Sequence, residues 1–206
     1  DNSGNLFAAG FFSGTLTVDN YTLMPATGSD IFVLKMDDTG NVLSATSFPS
    51  PGSQEVQSMT LDHAGNIYLG GLYFGSFVCG TDTLATKGQS DCFIAKCDSQ
   101  LNVQWAASYG STFADETYHL ILDDQSNVIV CGQFIDSFFV AKHSPGGQFR
   151  WSIHGKGGVG TRLFAEKSGS FYIAGPIIGP FSFSGVSIPL VSADRIFFAK
   201  LDSTGL

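Results

Sequence analysis

Apolar residues along this chain come in runs of about six to eight, rich in aromatic and β-branched side chains and bounded by Gly, Asn or Asp. No stretch sustains a 3.6-residue period, so the pattern predicts strands rather than helices. The runs fall into four sets. Segments 5–12, 66–74, 127–134 and 170–175 form the first, and segments 31–36, 92–97, 138–143 and 196–201 the second. Segments 42–48, 103–109 and 148–153 form a third, and 56–61, 117–122 and 160–165 a fourth. The expectation is an all-β chain with about four strands per repeat.

The punctuation between runs repeats as well. Asp62-His63-Ala64-Gly65-Asn66 joins a fourth-set strand to the next first-set strand, as do Asp1 to Asn5 and Asp123 to Asn127. Asp bonds backbone donors further along the turn, and Gly supplies a positive φ. A second turn, Asp37 to Asn41, joins the second and third sets, with equivalents at Asp98 to Asn102 and Ser144 to Gly147.

Lys35, Lys96, Lys142 and Lys200 each end an F-x-x-K strand, with steps of 61, 46 and 58 residues. The short step arises where Phe134 and Phe138 almost abut, so the long insert of the other copies is nearly absent. Four-stranded repeats of this length are the signature of propeller blades. The chain reads as a β-propeller segment of about four blades. Two are complete (55–109 and 116–154), one lacks its inner strand (1–48), and one lacks its outer strand (159–206). Four blades are few for a closed ring, which predicts that the segment belongs to a larger propeller and a longer polypeptide.

The pattern D-x-x-G-N-x-Y-x-x-G, then D-x-F-x-x-K-x-D, then a Trp strand is carried best by residues 62–71, 91–98 and 103–110. It resembles the bacterial seven-bladed β-propeller repeat family. Ser126 in place of the turn Gly, and Pro176 and Pro180 in the last copy, depart from it. The resemblance implies a secreted or cell-surface bacterial setting and brings no catalytic residues with it.

Composition narrows the partners. The net charge is −8, and ten basic residues are spread without a cluster, which argues against nucleic acid. No apolar run reaches the roughly 20 residues of a membrane-spanning helix. Cys79, Cys92, Cys97 and Cys131 each replace an apolar or small residue of the other copies and no C-x-x-C is present. They read as buried free thiols rather than a zinc site, although Cys79 and Cys92 flank one hairpin and stand where a bridge is conceivable.

A residue present in every copy serves the repeat, and a residue present once is where a specific role would lie. The four lysines read as solvated side chains paired with neighbouring Asp37, Asp98 and Asp202, and the F-x-x-K phenylalanines as packing between sheets. The Asp turns lack the alternating oxygen ligands of an EF-hand loop, so neither a metal nor another cofactor is expected. Loops 49–55, 110–116 and 154–159 share one face with inserts 13–29, 75–90 and 177–194, and they differ between copies. That face is the expected ligand surface. Its candidate residues are Glu55, Tyr109, Phe113, Asp115 and Glu116, an aromatic-plus-carboxylate set suited to a sugar. Asp115 and Glu116 diverge in an extended segment, which weakens glycosidase chemistry. His63, His119, His143 and His154 show no metal spacing. The sequence therefore leads to a non-enzymatic module binding a glycan or protein. A purely structural spacer is the alternative, and a polysaccharide-active enzyme a more distant one.

Overall fold

The computed structural model describes residues 1–135, 137–166, 169–189 and 195–205, and every element in it is a strand. The first unit holds β1 (Leu6–Phe12), β2 (Leu16–Val18), β3 (Tyr21–Leu23), β4 (Asp30–Met36) and β5 (Val42–Ser47). The second holds β6 (Gln54–Leu61), β7 (Ile67–Tyr73), β8 (Ser76–Cys79), β9 (Asp82–Ala85), β10 (Asp91–Cys97) and β11 (Val103–Tyr109). The third holds β12 (Glu116–Leu122), β13 (Val128–Phe134), β14 (Ser137–His143) and β15 (Phe149–Gly158). The fourth holds β16 (Arg162–Ala165), β17 (Phe171–Phe183), β18 (Val186–Ile188) and β19 (Arg195–Leu201).

Hydrogen bonding follows the repeat. The second unit is a sheet of order β11-β10-β7-β6, and the first has the same order without an inner strand, β1-β4-β5. All ladders are antiparallel. The fold is thus all-β and propeller-like, with successive sheets stacked face to face. The third and fourth units depart from separate blades. They join in one eight-stranded sheet, because β15 and β17 run past the expected strand ends and pair at Lys156↔Ser182 and Gly158↔Ile177. Pro176 and Pro180, expected to interrupt the last blade, lie inside β17. The Pro176 carbonyl still accepts from Val159 N at 3.0 Å.

The polar inserts are themselves ordered. Residues of 13–29 form the β2–β3 hairpin, those of 75–90 the β8–β9 hairpin, and the end of β17 folds onto β18. Residues 190–194 of the third insert lie outside the described residues.

Because each sheet is apolar on both faces, the core consists of layers between sheets. Among the described residues, one cluster joins Ile31 and Val33 of β4 to Leu69, Phe93 and Cys97. A second joins Tyr68, Cys92 and Ile94 to Leu120, Val130 and Phe139. A third joins Ile129, Phe138 and Val140 to Leu163, Phe171, Ile173 and Phe197. Alternation along β10 sends Cys92 and Cys97 to opposite layers, so Cys79, which packs with Cys97, is separated from Cys92 by the sheet itself. All four cysteines are free and buried.

Inner strands are tied by one repeated bond. Ser58 and His119 occupy the same irregular position in β6 and β12, where the ladder shifts register. Ser58 Oγ accepts from Leu120 N at 3.1 Å, and His119 Nδ1 accepts from Leu163 N at 3.2 Å. His119 is thereby a joint residue, and burial together with Arg162 lowers its pKa.

Two outcomes are expected. A Cβ on Gly132 would meet the Glu116 carbonyl and stand 2.7 Å from the Phe139 ring, whereas at Gly146 the nearest atom is Ser144 Oγ at 3.9 Å. Urea unfolding should show Gly132→Ala losing roughly 3 kcal/mol and Gly146→Ala within about 0.5 kcal/mol of the parent. Burial pushes the Cys79 and Cys97 thiols up to about 12, and Cys92 and Cys131 further still. A chromogenic disulfide reagent at pH 8 should therefore leave the folded chain's thiols unreacted and titrate all four after denaturation.

Candidate functional site

The two ends of the stacked sheets differ in kind. One end carries the Asp turns, and the carboxylates that open them are engaged by the repeat itself. Asp62 Oδ1 accepts from Ala64 N and Asn66 N, each at 2.9 Å, and Oδ2 accepts from Asn66 Nδ2 at 2.7 Å. Asp1, Asp37, Asp98 and Asp123 make the same set. Hydrogen bonds from Asn41 and Thr39 hold the Asp37 carboxyl down at about 2. Oxygens engaged by N–H donors are poor metal ligands. Among the described residues no three His, Cys, Asp or Glu side chains converge as a metal site.

The lysines of this end differ from expectation. Their partners are not Asp37, Asp98 and Asp202 but the acidic residues that open the first-set turns. Lys142 Nζ lies 2.9 Å from Asp123, and Lys200 Nζ 2.7 Å from Glu166. The Asp37 and Asp98 carboxylates, two residues past their lysines, are taken up by the N–H donors of their own turns, so the lysine reaches across the ladder instead. The first three also span to the following unit. Lys35, Lys96 and Lys142 donate to the carbonyls of Ser99, Pro145 and Ser203 at 3.3–3.4 Å. Nor are they all solvated, since the Lys142 side chain is 10% exposed and its Asp123 partner 8%.

The opposite end varies from unit to unit. The β8–β9 hairpin rests on the loop after β5, with Gly52 N donating to Ser76 O and Val78 N to Ser50 Oγ. The segment before β10 rests on the loop after β11, through Asp115 N to Ser90 O at 3.0 Å. Large apolar side chains stand exposed here: Phe74, Phe113 and Ile135.

The sequence-derived candidates separate on this scaffold. Phe113 is 48% exposed on the 110–116 loop. Glu55 and Glu116 are half-buried at matched positions that open β6 and β12. Their carbonyls press on Gly71 and Gly132, and the Glu116 carboxylate lies beside the Tyr118 phenol. Asp115 is fully buried and takes hydrogen bonds from Ser111 N and Ser111 Oγ. Asp30 and Asp91 hold the backbones of Ala26 and Lys87 in the same manner, so this carboxylate anchors a turn rather than facing a ligand. Burial raises the Asp115 pKa, with nearby Asp91 adding to it against the Ser111 hydrogen bonds. Tyr109 turns away from Phe113. Its ring packs edge-on against Phe139 at 5.2 Å and stacks on His143 at 5.9 Å, and its hydroxyl is buried.

Tyr109 instead forms one wall of an open groove of about 320 Å³ between the second and third units. Ala107 and Ser108 share that wall, while Phe134, Phe139, Ala141, His143, Phe149, Ser152 and His154 form the other. Phe149 is 61% exposed on the rim and His143 only 3% at the floor. Phe134 stacks on both Phe139 (4.6 Å) and His154 (5.8 Å). His143 Nδ1 has no hydrogen-bond partner. The sequence held one signal for this groove, the short step between Lys96 and Lys142, but not the identity of its walls.

Comparison with known proteins adds little beyond the fold. No family model matches the chain. An alignment 102 residues long, covering 36% of this chain, is 29% identical to an uncharacterized WD repeat-containing protein of Acanthamoeba polyphaga mimivirus, of which it covers 7%. WD repeats build propeller blades, which accords with the stacked sheets. Among the described residues no helix is long and apolar enough to cross a membrane.

Burial pushes the His143 imidazole down to about 4. An unfolded His binds its proton below about 6.5, so between the two values the unfolded state holds more protons and stability falls as pH falls. His143→Leu, which installs the residue of the fourth unit (Leu201), should flatten the stability slope between pH 6.5 and 4 in urea titrations at several pH values. An unchanged slope would show that His143 is not the buried group responsible.

Proposed function

We propose that this chain is a non-enzymatic binding module that takes a glycan or protein ligand at its insert-bearing end. The observation that carries this reading is the contrast between the ends. The Asp turns are uniform and their carboxylates internally satisfied, whereas the other end varies between units, exposes Phe74, Phe113 and Ile135, and carries the half-buried Glu55 and Glu116. Exposed aromatics next to acids suit stacking on a sugar ring or on an apolar protein surface. The buried acids Asp30, Asp91 and Asp115 each accept from a backbone N–H and so serve as turn anchors, with one oxygen of Asp91 left without a hydrogen-bond partner. The resemblance to the bacterial seven-bladed repeat family extends the proposal to a secreted or cell-surface protein larger than this chain.

The test is a glycan array read with the 206-residue chain, alongside Phe113→Ala and Glu116→Ala variants. Saturable binding that Phe113→Ala weakens at least tenfold supports a glycan site on this end. Glycan binding unaffected by either substitution would misplace the site. Absence of glycan binding would leave a protein partner or a spacer role.

A further inference from the structure

The third unit lacks something that its neighbours possess. In the second unit the β8–β9 hairpin lies over the F-x-x-K strand, with Phe77 edge-on to Phe93 at 5.0 Å. Cys79 and Leu84 of that hairpin pack in the same layer as Ala95, Cys97, Leu101, Val103 and Ala106. In the fourth unit Phe181 and Phe183 take this place, 4.9 and 6.4 Å from Phe197. In the third unit β13 ends at Phe134 and β14 begins at Ser137, which leaves no length for a hairpin. The positions that a hairpin covers elsewhere become the wall of the 320 Å³ groove. By register, Phe139, Ala141, His143, Phe149 and Ser152 stand where the second unit has Phe93, Ala95, Cys97, Val103 and Ala106.

We propose that this groove is a vacant hairpin seat, which binds an aromatic side chain presented on a β-hairpin of a partner protein. It runs along β11 and β15 from the insert end toward the Asp-turn end, and it does not depend on the ligand reading given for the insert end. Three observations select the occupant. The equivalent places are filled by aromatic side chains of hairpins in two sibling units. The walls contribute Tyr109, Phe134, Phe149 and His154 and no carboxylate, lysine or arginine, which favours a neutral ring. The floor presents a buried imidazole whose Nδ1 is unpartnered, a hydrogen-bonding position left for the backbone or a polar side chain of the hairpin that carries the ring. Supplying a missing β-element in trans is an established mode of peptide recognition.

The probe is a synthetic peptide of the chain's own residues 74–87 with Cys79→Ser, titrated into the full 206-residue chain while the imidazole signals of its histidines are followed by NMR. The expected result is a saturable shift of His143 and His154 with His63 unmoved. A Phe77→Ala version of the peptide should bind at least tenfold more weakly. Ser152→Trp, at an exposed position on the groove wall, should abolish the shift in a chain whose circular dichroism is unchanged. No saturable shift up to millimolar peptide overturns the proposal, as does an equal response at His63 or equal binding of the Phe77→Ala peptide. If N-acetyl-phenylalaninamide binds as tightly as the hairpin, the groove is a small-molecule site and the hairpin proposal fails.

Discussion

The structure depends on one cross-strand pair. In every unit the phenylalanine of the F-x-x-K strand lies opposite a glycine of the preceding strand: Phe32 on Gly10, Phe93 on Gly71, Phe139 on Gly132, and Phe197 on Gly175. In the first three pairs a Cβ on the glycine would stand 2.7–2.8 Å from the ring, so the ring lies where that methyl would be. Gly71, Gly132 and Gly175 also receive the carbonyls of Glu55, Glu116 and Val159 from the inner strand. A side chain there would push apart both the ring and the inner strand. The inner strands shift register beside these glycines, and that shift brings Ser58 and His119 to meet the backbone of the next unit. Packing within a sheet and joining between sheets are therefore one constraint.

The lysines carry that constraint to the Asp-turn end. Each sits over an aromatic ring or an acid of its own unit and donates to a carbonyl of the next: Lys35 over Phe7, Lys96 over Tyr68, Lys142 on Asp123. The Lys142–Asp123 pair is largely covered, so it is screened less than a surface pair. The Lys200–Glu166 pair is substantially exposed and adds little by comparison. An end whose donors and acceptors are matched in this way is free to repeat but has little left to offer a ligand.

Much of the architecture was legible because it repeats. The four strand sets and both turn types fall within a residue or two of the observed bounds except at segment 148–153, where β15 runs on to Gly158, and at 170–175, where β17 runs on to Phe183. The exceptions have local causes. The pattern at 170–175 predicts a strand that ends before Pro176, yet the ladder continues because Pro176 contributes its carbonyl and needs no N–H there. The inserts were visible only as polar length, and their hairpin form depends on the loops beneath them. Tyr109 was read as a loop aromatic because sequence proximity to Phe113 was taken for spatial proximity, whereas the last residue of β11 still obeys strand alternation and faces Phe139. Asp115 was read as a ligand because nothing in the sequence shows that a carboxylate four residues past Ser111 closes a turn. The lysine partners were missed because the ladder that places them joins residues far apart in the chain.

Where the units differ, the differences are paired across the joint. Trp105 and Trp151 lie opposite Lys96 and Lys142, and Ser44 occupies that place in the first unit. The turn that each meets in the following unit changes to suit. Trp105 lies on Gly147 and donates from Nε1 to Pro145 O at 3.0 Å, and Trp151 lies on Gly205. Following Ser44, the equivalent turn position is Leu101, which adopts φ 70° and is buried in the layer between the first two units. A non-glycine residue in that conformation costs on the order of 1 kcal/mol. Burying a leucine returns roughly 1.5–3 kcal/mol, so the exchange is favourable only where no indole already fills the space. Indole on glycine and serine with leucine are two solutions to one volume. The same logic sets the third unit apart, because the groove beside Phe149 and His154 is a volume for which the described residues supply no second half.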